Sequence, residues 1–196
     1  MTPEEALSLL QTGNATFLDS AEVSADLTKH ADEQQPFAVV LACSDSRVPV
    51  EIIFDKGPGQ LFVIRLAGNV AVSAALGSIE FAVNQLNSKL IVVMGHSSCG
   101  AITAALMSPQ SRLDLPTNVQ HLLDHVRTDG FDQVADAVVA NVRHQVQIIA
   151  REPAIALAIE KGEVAVVGAY YDIPTGRVDF LESVFVGEPT LFGSST

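Results

Sequence analysis

The chain is poor in cysteine, in tryptophan and in positive charge. Its 196 residues include two cysteines, no tryptophan, and 11 Lys and Arg against 23 Asp and Glu, which gives a net charge of −12. Two cysteines exclude a disulfide framework. The shortage of cations argues against a nucleic-acid partner, because phosphate binding requires clustered positive charge. No run of 18 apolar residues is present, so we expect no membrane-spanning helix.

The length suits a single domain, which we expect to extend over 1–196 with an N-terminal helical arm at about 1–35. Apolar residues make up 48% of the chain and charged residues 17%, as in globular proteins. Thr2 and Glu5 form a capping-box pattern that predicts a helix over roughly 3–12. The same segment is acidic and lacks the basic region of a secretory signal, so we expect a cytoplasmic location.

Apolar runs alternate with helical patterns along the rest of the chain. The runs FAVVLA at 37–42, LFVIR at 61–65 and LIVVM at 90–94 predict strands, the first and third buried on both faces. Apolar spacing predicts helices over about 72–86, 99–107, 117–127 and 131–151. A hairpin is expected at 164–185. We therefore predict an α/β fold with a central, mainly parallel sheet of about four parallel strands plus an antiparallel edge strand, flanked by helices.

Residues able to bind a metal follow two of these strands. Cys43, Asp45 and Arg47 come after the first strand, and His96 and Cys99 come after the third. Sites in such sheets lie beyond the carboxyl ends of strands. The spacing from His96 to Cys99 lets one turn deliver two ligands, and Cys43 can complete a set of two thiolates and one imidazole if the two strands are neighbours. Such a set favours zinc and leaves a fourth, catalytic position open.

Other interpretations stay open on spacing alone. Cys43 and Cys99 can be ordinary buried thiols near a satisfied histidine, or can form a disulfide in an oxidising compartment. An extended loop can direct Asp45 and Arg47 to one side, where the guanidinium lowers the pKa of the carboxyl. They can also form a solvated surface pair of little consequence. Asp45 is in addition a candidate fourth zinc ligand that would close the site.

The ordered set of motifs extends beyond these residues. It comprises Cys43-Ser-Asp-Ser-Arg47 with Val-Pro, Phe62-Val-Ile-Arg65 with Ala67-Gly68-Asn69, Gly77-Ser-Ile-Glu80, and Gly95-His-Ser-Ser-Cys-Gly100. Taken together, these motifs resemble the β-class carbonic anhydrases, from about residue 34 to residue 106. The resemblance implies one Zn²⁺ per subunit, held by Cys43, His96 and Cys99, with Asp45 and Arg47 as a catalytic dyad.

The resemblance also implies a substrate pocket completed by a second subunit. Gln34, Phe62, Phe81 and Gly100 match substrate-binding positions: Gln34 as a hydrogen-bonding residue and Phe62 as an apolar wall. Phe81 occupies a position where Tyr is common and which the other subunit contributes. The expected assembly is a homodimer or homotetramer, and the expected substrate is a small neutral gas.

The activity implied by the resemblance is the reversible hydration of CO2 to bicarbonate and a proton by zinc-bound hydroxide. Zinc lowers the pKa of its bound water to about 7, the value known for carbonic anhydrases, from about 15.7 in bulk water. The alternative is a carbonyl sulfide hydrolase that converts COS and water to CO2 and hydrogen sulfide at the same site. Phe81 and the Leu66-Ala-Gly68 stretch would suit COS by making the pocket less polar or differently shaped.

Overall fold

The computed structural model describes residues 33–184 apart from Asp129, together with six isolated residues before them, Glu5, Leu9, Gln11, Thr12, Thr16 and Ala31. The chain divides into two compact units, Met1–Gln34 and Gln35–Thr196. Five of the six isolated residues, all but Ala31, are helical. The remainder of the helix predicted over 3–12 lies outside the described residues.

A five-stranded sheet forms the centre of the second unit. Its strands are β1 (Ala38–Ala42), β2 (Leu61–Arg65), β3 (Leu90–His96), β4 (Ala165–Asp172) and β5 (Arg177–Val184). They lie in the order β2-β1-β3-β4-β5. The first four are parallel, and β5 pairs antiparallel with β4 at one edge. The predicted sheet is therefore confirmed in strand number and direction.

Helices connect the parallel strands. They are α1 (Val50–Ile53), α2 (Ser73–Asn84), α3 (Gly100–Ala105), α4 (Pro109–Leu113), α5 (Thr117–Leu123), α6 (Val134–Arg151) and α7 (Pro153–Glu160), with a 3-10 turn at Ala67–Asn69. The four helices predicted from apolar spacing are present, whereas α1, α4 and α7 were not predicted. Helices α1 and α4 have only four and five residues, and α7, with eight, is apolar at nearly every position, so none of them shows a clear helical period. No helix in the described part of the chain is long and apolar enough to cross a membrane.

Both faces of the central strands are buried. Val39, Leu41 and Val93 belong to one apolar cluster, and Val40 and Met94 belong to a second. Adjacent residues of a strand point to opposite faces, so a strand covered on both sides must be apolar throughout. This burial explains the uninterrupted runs in β1 and β3.

Strand β3 extends two residues beyond the predicted run and ends at His96. Gly95 and His96 pair with Tyr170 and Tyr171 of the long strand β4. The apolar run stopped at Met94 because the last two residues of the strand, Gly95 and His96, have no apolar side chain. As a result, the imidazole of His96 is held by the sheet itself and not by a loop.

Gly95 allows α6 to approach the end of β3. A Cβ atom at this position would lie 2.6 Å from a side-chain carbon of Val138 and 2.7 Å from one of Val142, both in α6. Only glycine leaves enough space for this contact. The long helix therefore packs directly against the residue that precedes His96.

Candidate metal centre

The carboxyl ends of β1 and β3 bring three residues together. Cys43 follows the last residue of β1, His96 is the last residue of β3, and Cys99 is the N-cap of α3. Their candidate ligand atoms all lie within 4.8 Å of one another. All three residues are buried, with exposed fractions of 4%, 0% and 1%. The sheet thus assembles two thiols and one imidazole at a single buried point, as predicted.

The two sulfur atoms are spaced for a metal and not for a disulfide. Cys43 Sγ and Cys99 Sγ lie 4.0 Å apart, and both cysteines are free. A disulfide requires about 2.05 Å. A tetrahedral zinc with Zn–S bonds of about 2.3 Å separates its two sulfurs by about 3.8 Å. The geometry therefore disfavours the disulfide and fits zinc.

His96 presents one ring nitrogen to these sulfurs. Its Nδ1 lies 2.9 Å from the backbone oxygen of Ser97, so this nitrogen carries the proton and donates it. Its Nε2 is buried and has no hydrogen-bond partner among the described residues. Buried polar atoms without a partner are rare and costly. A lone pair on Nε2, directed toward two thiols, is the arrangement in which histidine binds a metal.

Asp45 and Arg47 form a bidentate pair beside the ligands. Arg47 Nε donates to Asp45 Oδ1 at 2.9 Å, and the second guanidinium nitrogen donates to Oδ2 at 2.8 Å. The backbone N–H of Arg47 adds a third bond to Oδ1 at 3.0 Å. These bonds hold the pKa of the Asp45 carboxyl well below its usual range. Asp45 is therefore a fixed carboxylate that can only accept hydrogen bonds.

The pair lies next to the candidate metal ligands. Asp45 Oδ2 lies 3.9 Å from His96 Nε2. Arg47 also donates to the backbone oxygen of Ser98, at 3.2 Å, which links the pair to the turn between His96 and Cys99. The spacing of Asp45 and Arg47 predicted that they could point to one side, and the structure places them so.

Arg65 holds the loop that carries Cys43 and Asp45. From the end of β2, its Nε donates to the Cys43 oxygen at 3.1 Å and its terminal nitrogen donates to the Asp45 oxygen at 2.6 Å. Sequence reasoning missed this contact, since it joins residues 20 and 22 positions apart. A cation at the end of an apolar strand next to the site was the available signal.

The two thiols are close enough to form a hydrogen bond with each other. The pKa of Cys43 is lowered to about 4, mainly by a hydrogen bond from Cys99, with further contributions from His96 and from the Gly68 amide. The pKa of Cys99 is raised, because it donates to Cys43 and is buried. A divalent cation would displace the remaining proton and bind both thiolates. The donor set, its burial and its one spare imidazole nitrogen all fit Zn²⁺.

Two of the predicted substrate-binding residues lie together. The rings of Phe62 in β2 and Phe81 in α2 are 6.4 Å apart between centroids and inclined by 40°. Phe62 packs against the apolar cluster that also contains Cys43 and Cys99. Phe81 is 48% exposed.

The other two predicted substrate-binding residues differ from each other in placement. Gly100 begins α3 directly after the ligand Cys99, and it is exposed. Gln34 is also exposed but belongs to the first unit, whereas all three candidate ligands belong to the second. The substrate-binding role of each stays a prediction.

Comparison with known sequences identifies the family. Residues 38–178 match the family model described as carbonic anhydrase. Carbonic anhydrase 2 of Mycobacterium tuberculosis is 40% identical over 191 residues, which cover 89% of this chain and 91% of that protein. A carbonic anhydrase of Mycolicibacterium smegmatis is 39% identical over 194 residues, which cover 90% of this chain and 92% of that protein.

Solved structures agree with the sequence comparison. The β-carbonic anhydrase of Coccomyxa, in complex with acetazolamide, has a TM-score of 0.81 and is 28% identical, covering 92% of this chain and 88% of that one. A tetrameric β-carbonic anhydrase of Sordaria macrospora has a TM-score of 0.78 and is 26% identical, covering 92% of this chain and 98% of that one. Together with the buried Cys43, His96 and Cys99 group, these matches establish that the chain belongs to the carbonic anhydrase family, in its β class.

Proposed function

We propose that the site at the end of β1 and β3 catalyses the reversible hydration of CO2 to bicarbonate and a proton. The observation that carries the proposal is the unpartnered Nε2 of His96 beside two thiols, with the carboxylate of Asp45 only 3.9 Å away. A structural zinc site would use four protein ligands. Here three candidate ligands converge, and the nearby carboxylate of Asp45 is held by Arg47.

Cys43, His96 and Cys99 would hold the zinc. When bound, zinc lowers the pKa of a coordinated water, to about 7 in carbonic anhydrases, so that a nucleophile is available at neutral pH. The remaining tasks belong to the side chains. Asp45 accepts a hydrogen bond from the attacking oxygen and so directs a lone pair of that oxygen toward the carbon of CO2.

Arg47 keeps Asp45 in this role. A free carboxylate next to a dication is itself a good zinc ligand, and its coordination would occupy the position needed for water. Both oxygens of Asp45 are engaged by the guanidinium, and the carboxylate is ionised because its pKa is lowered. Arg47 therefore favours the open site by keeping the carboxylate as a hydrogen-bond acceptor.

The aromatic pair Phe62 and Phe81 supports an apolar pocket for a small neutral substrate and an oligomeric enzyme. Phe81 leaves 48% of its surface exposed in a single chain, so a second subunit can cover it. The Sordaria macrospora relative is tetrameric. We therefore propose a homo-oligomer, either a dimer or a tetramer. The free thiols suit a reducing compartment such as the cytoplasm.

Carbonyl sulfide hydrolysis gains no specific support from the relatives. The two named above are both carbonic anhydrases. Phe81, which lacks a tyrosine hydroxyl, and the Leu66-Ala-Gly68 stretch are the sequence features in its favour. CO2 is therefore the substrate that we propose, and COS is the alternative that the assay must exclude.

The proposal is tested by metal analysis together with parallel assays of CO2 hydration and COS hydrolysis. We expect one zinc per subunit and CO2 hydration much faster than COS hydrolysis. Zinc-loaded protein that hydrates CO2 no faster than buffer would refute the proposal. Faster hydrolysis of COS than hydration of CO2 would replace CO2 with COS as the proposed substrate. Sedimentation of the same sample decides between dimer and tetramer.

A further inference from the structure

Helix α6 buries two amide side chains on its apolar face. Asn141 and Gln145 are one helical turn apart and have exposed fractions of 0% and 1%. Burying an amide costs free energy unless its hydrogen-bonding atoms find partners. An apolar residue would pack at either position without that requirement, so the contacts made by the amides explain their presence.

Gln145 anchors the segment after the 3-10 turn. Its Oε1 accepts a hydrogen bond from the backbone N–H of Ala71 at 2.9 Å, and its Nε2 donates to the backbone oxygen of His125 at 2.9 Å. The same Nε2 lies 3.1 Å from Asn141 Oδ1. These contacts fix the orientation of the Asn141 amide, since its oxygen must face Gln145 and its nitrogen must face away.

Asn141 extends this anchoring to Gly68. Its Oδ1 also accepts from the backbone N–H of Arg127 at 3.0 Å, and its Nδ2 donates to the backbone oxygen of Gly68 at 2.8 Å. A buried amide with partners on both ends has one orientation. The carbonyl of Gly68 is thereby held in a fixed direction.

Gly68 is also in contact with a metal ligand. Its backbone N–H donates to Cys43 Sγ at 3.4 Å. Its φ of +71° lies in the left-handed region, and a Cβ there would lie 3.2 Å from Val126 and 3.3 Å from Ala101. The backbone conformation therefore favours glycine, and a Cβ would also require Val126 and Ala101 to move by a few tenths of an ångström. With its carbonyl on Asn141 and its amide on Cys43, Gly68 connects α6 to the candidate metal centre.

We infer that Asn141 is a positioning residue for the metal centre, which keeps the Gly68 N–H on the sulfur of Cys43. The inference rests on the proposed function, in which Cys43 is a zinc ligand. A hydrogen bond to a thiolate withdraws charge from sulfur and fixes its orientation, and partners of this kind affect metal affinity or activity by about 10- to 100-fold. Asn141 acts on Cys43 through its own side-chain amide and the peptide group of Gly68, so its effect on the metal centre requires no charged residue.

The hydrogen bond can be observed directly in the unmodified protein loaded with ¹¹³Cd. We expect scalar coupling between the metal and the amide proton of Gly68, transmitted through the N–H···S bond. Asn141→Asp keeps an oxygen facing Arg127 and Gln145 but replaces the donor to Gly68 with a second oxygen. In this variant we expect the coupling to disappear and kcat/KM for CO2 to fall by about 10- to 100-fold.

Cobalt substitution supplies a second readout. Loss of the N–H···S bond leaves more charge on the sulfur, so the thiolate-to-cobalt charge-transfer band moves to longer wavelength. Asn141→Ala, which removes the whole amide, serves if Asn141→Asp fails to fold. The matched control is Ser88→Ala, which removes a buried hydrogen bond, from Ser88 Oγ to the Pro36 oxygen at 2.7 Å, ahead of β3 and away from the metal ligands. Ser88→Ala should lower the stability of the protein but leave the ¹¹³Cd coupling at Gly68 and the cobalt charge-transfer band unchanged.

The possible results distinguish a failure of the inference about Asn141 from a failure of the proposed function. Coupling in the unmodified protein, lost in the Asn141 variants but not in Ser88→Ala, supports the inference. Metal-loaded protein without coupling at Gly68 overturns it, as do folded Asn141 variants with unchanged coupling and an unchanged cobalt band. Failure of the unmodified protein to bind either metal overturns the proposed function as well.

Discussion

Oδ2 of Asp45 lies 3.9 Å from Nε2 of His96, and no hydrogen bond joins them. The carboxylate is therefore near the candidate metal-binding nitrogen, but both of its oxygens accept hydrogen bonds from Arg47. The guanidinium of Arg47 therefore keeps Asp45 as a hydrogen-bond acceptor instead of a metal ligand.

Removal of the Arg47 guanidinium should separate metal binding from catalysis. Arg47→Ala retains Cys43, His96 and Cys99, so we expect a full complement of zinc. The freed Asp45 no longer has a fixed direction, and displacement of a catalytic group by about 1 Å can cost about 100-fold in rate. We expect kcat/KM for CO2 hydration, measured by stopped flow, to fall by about 100-fold or more.

Arg112→Ala is the matched control for this variant. Arg112 pairs with Asp124 at 3.2 Å, away from the metal ligands, and surface pairs contribute little. We expect its zinc content and activity to equal those of the unmodified protein. Full activity in Arg47→Ala would refute the role assigned to the dyad.

The thiols should report metal binding directly, because the chain contains no cysteine besides Cys43 and Cys99. With zinc bound, both sulfurs are coordinated and buried, so a thiol reagent should react with neither at an appreciable rate. Chelation removes the stability that the metal contributes, so opening of the destabilised site should make both thiols reactive; we also expect a lower melting temperature and recovery of both properties when zinc is added. Equal thiol reactivity before and after chelation would contradict the ligand assignment.

Arg47 should also determine the acid titration of Asp45. The guanidinium lowers the pKa of the carboxyl, so the stability that their contact contributes is present above the unfolded-state pKa of about 3.9 and is lost as the pH falls through the lower folded-state value. In the zinc-free protein, we expect Arg47→Ala to raise the pKa of Asp45 toward its usual range. The difference in free energy of unfolding between the two proteins should therefore shrink below about pH 4.

Carbon-13 NMR titration of the Asp45 carboxyl in both proteins measures the shift. Chemical denaturation from pH 7 to pH 3 measures its consequence for stability. A titration midpoint in Arg47→Ala that is no higher than in the unmodified protein would contradict this prediction.

The contact between α6 and β3 should be sensitive to one methyl group. Gly95→Ala places a Cβ 2.6 Å from Val138 and 2.7 Å from Val142, and overpacking of this kind costs about 1–3 kcal/mol. Gly77→Ala in α2 meets no described atom within 4 Å and should stabilise the helix by about 0.5–1 kcal/mol. Urea denaturation of the two variants measures the contrast, and a Gly95→Ala protein as stable as Gly77→Ala would refute it.

The sequence alone predicted the parts of the molecule that depend on local pattern. The apolar runs of β1 and β3 are uninterrupted because both faces of these strands are buried. The turn from His96 to Cys99 keeps two ligands close at any tertiary arrangement. Helices α1 and α4 were missed because they have so few residues, and α7 was missed because its apolar residues follow no helical period.

Local pattern placed Cys43 after one buried strand and His96 and Cys99 after another, and the resemblance to a family implied that the three bind one zinc. Composition and spacing left a disulfide and a simple buried thiol open. The distance of 4.0 Å between the sulfurs disfavours the disulfide. The Nε2 of His96, which has no partner among the described residues, favours a metal site over simple buried thiols. Such distances follow from the register of β1 beside β3, in which Ala42 pairs with Met94.

By itself, then, the sequence determined the strands, four of the helices and the residues that can bind zinc, because local patterns of residue types indicate each of them. Only the tertiary structure decided the contacts between distant segments. Arg65 clamps a loop 20 and 22 residues away, and Asn141 holds Gly68 from 73 residues away. A hydrogen bond depends on where two chain segments meet in space, and that meeting is set by the packing of the whole sheet and its helices.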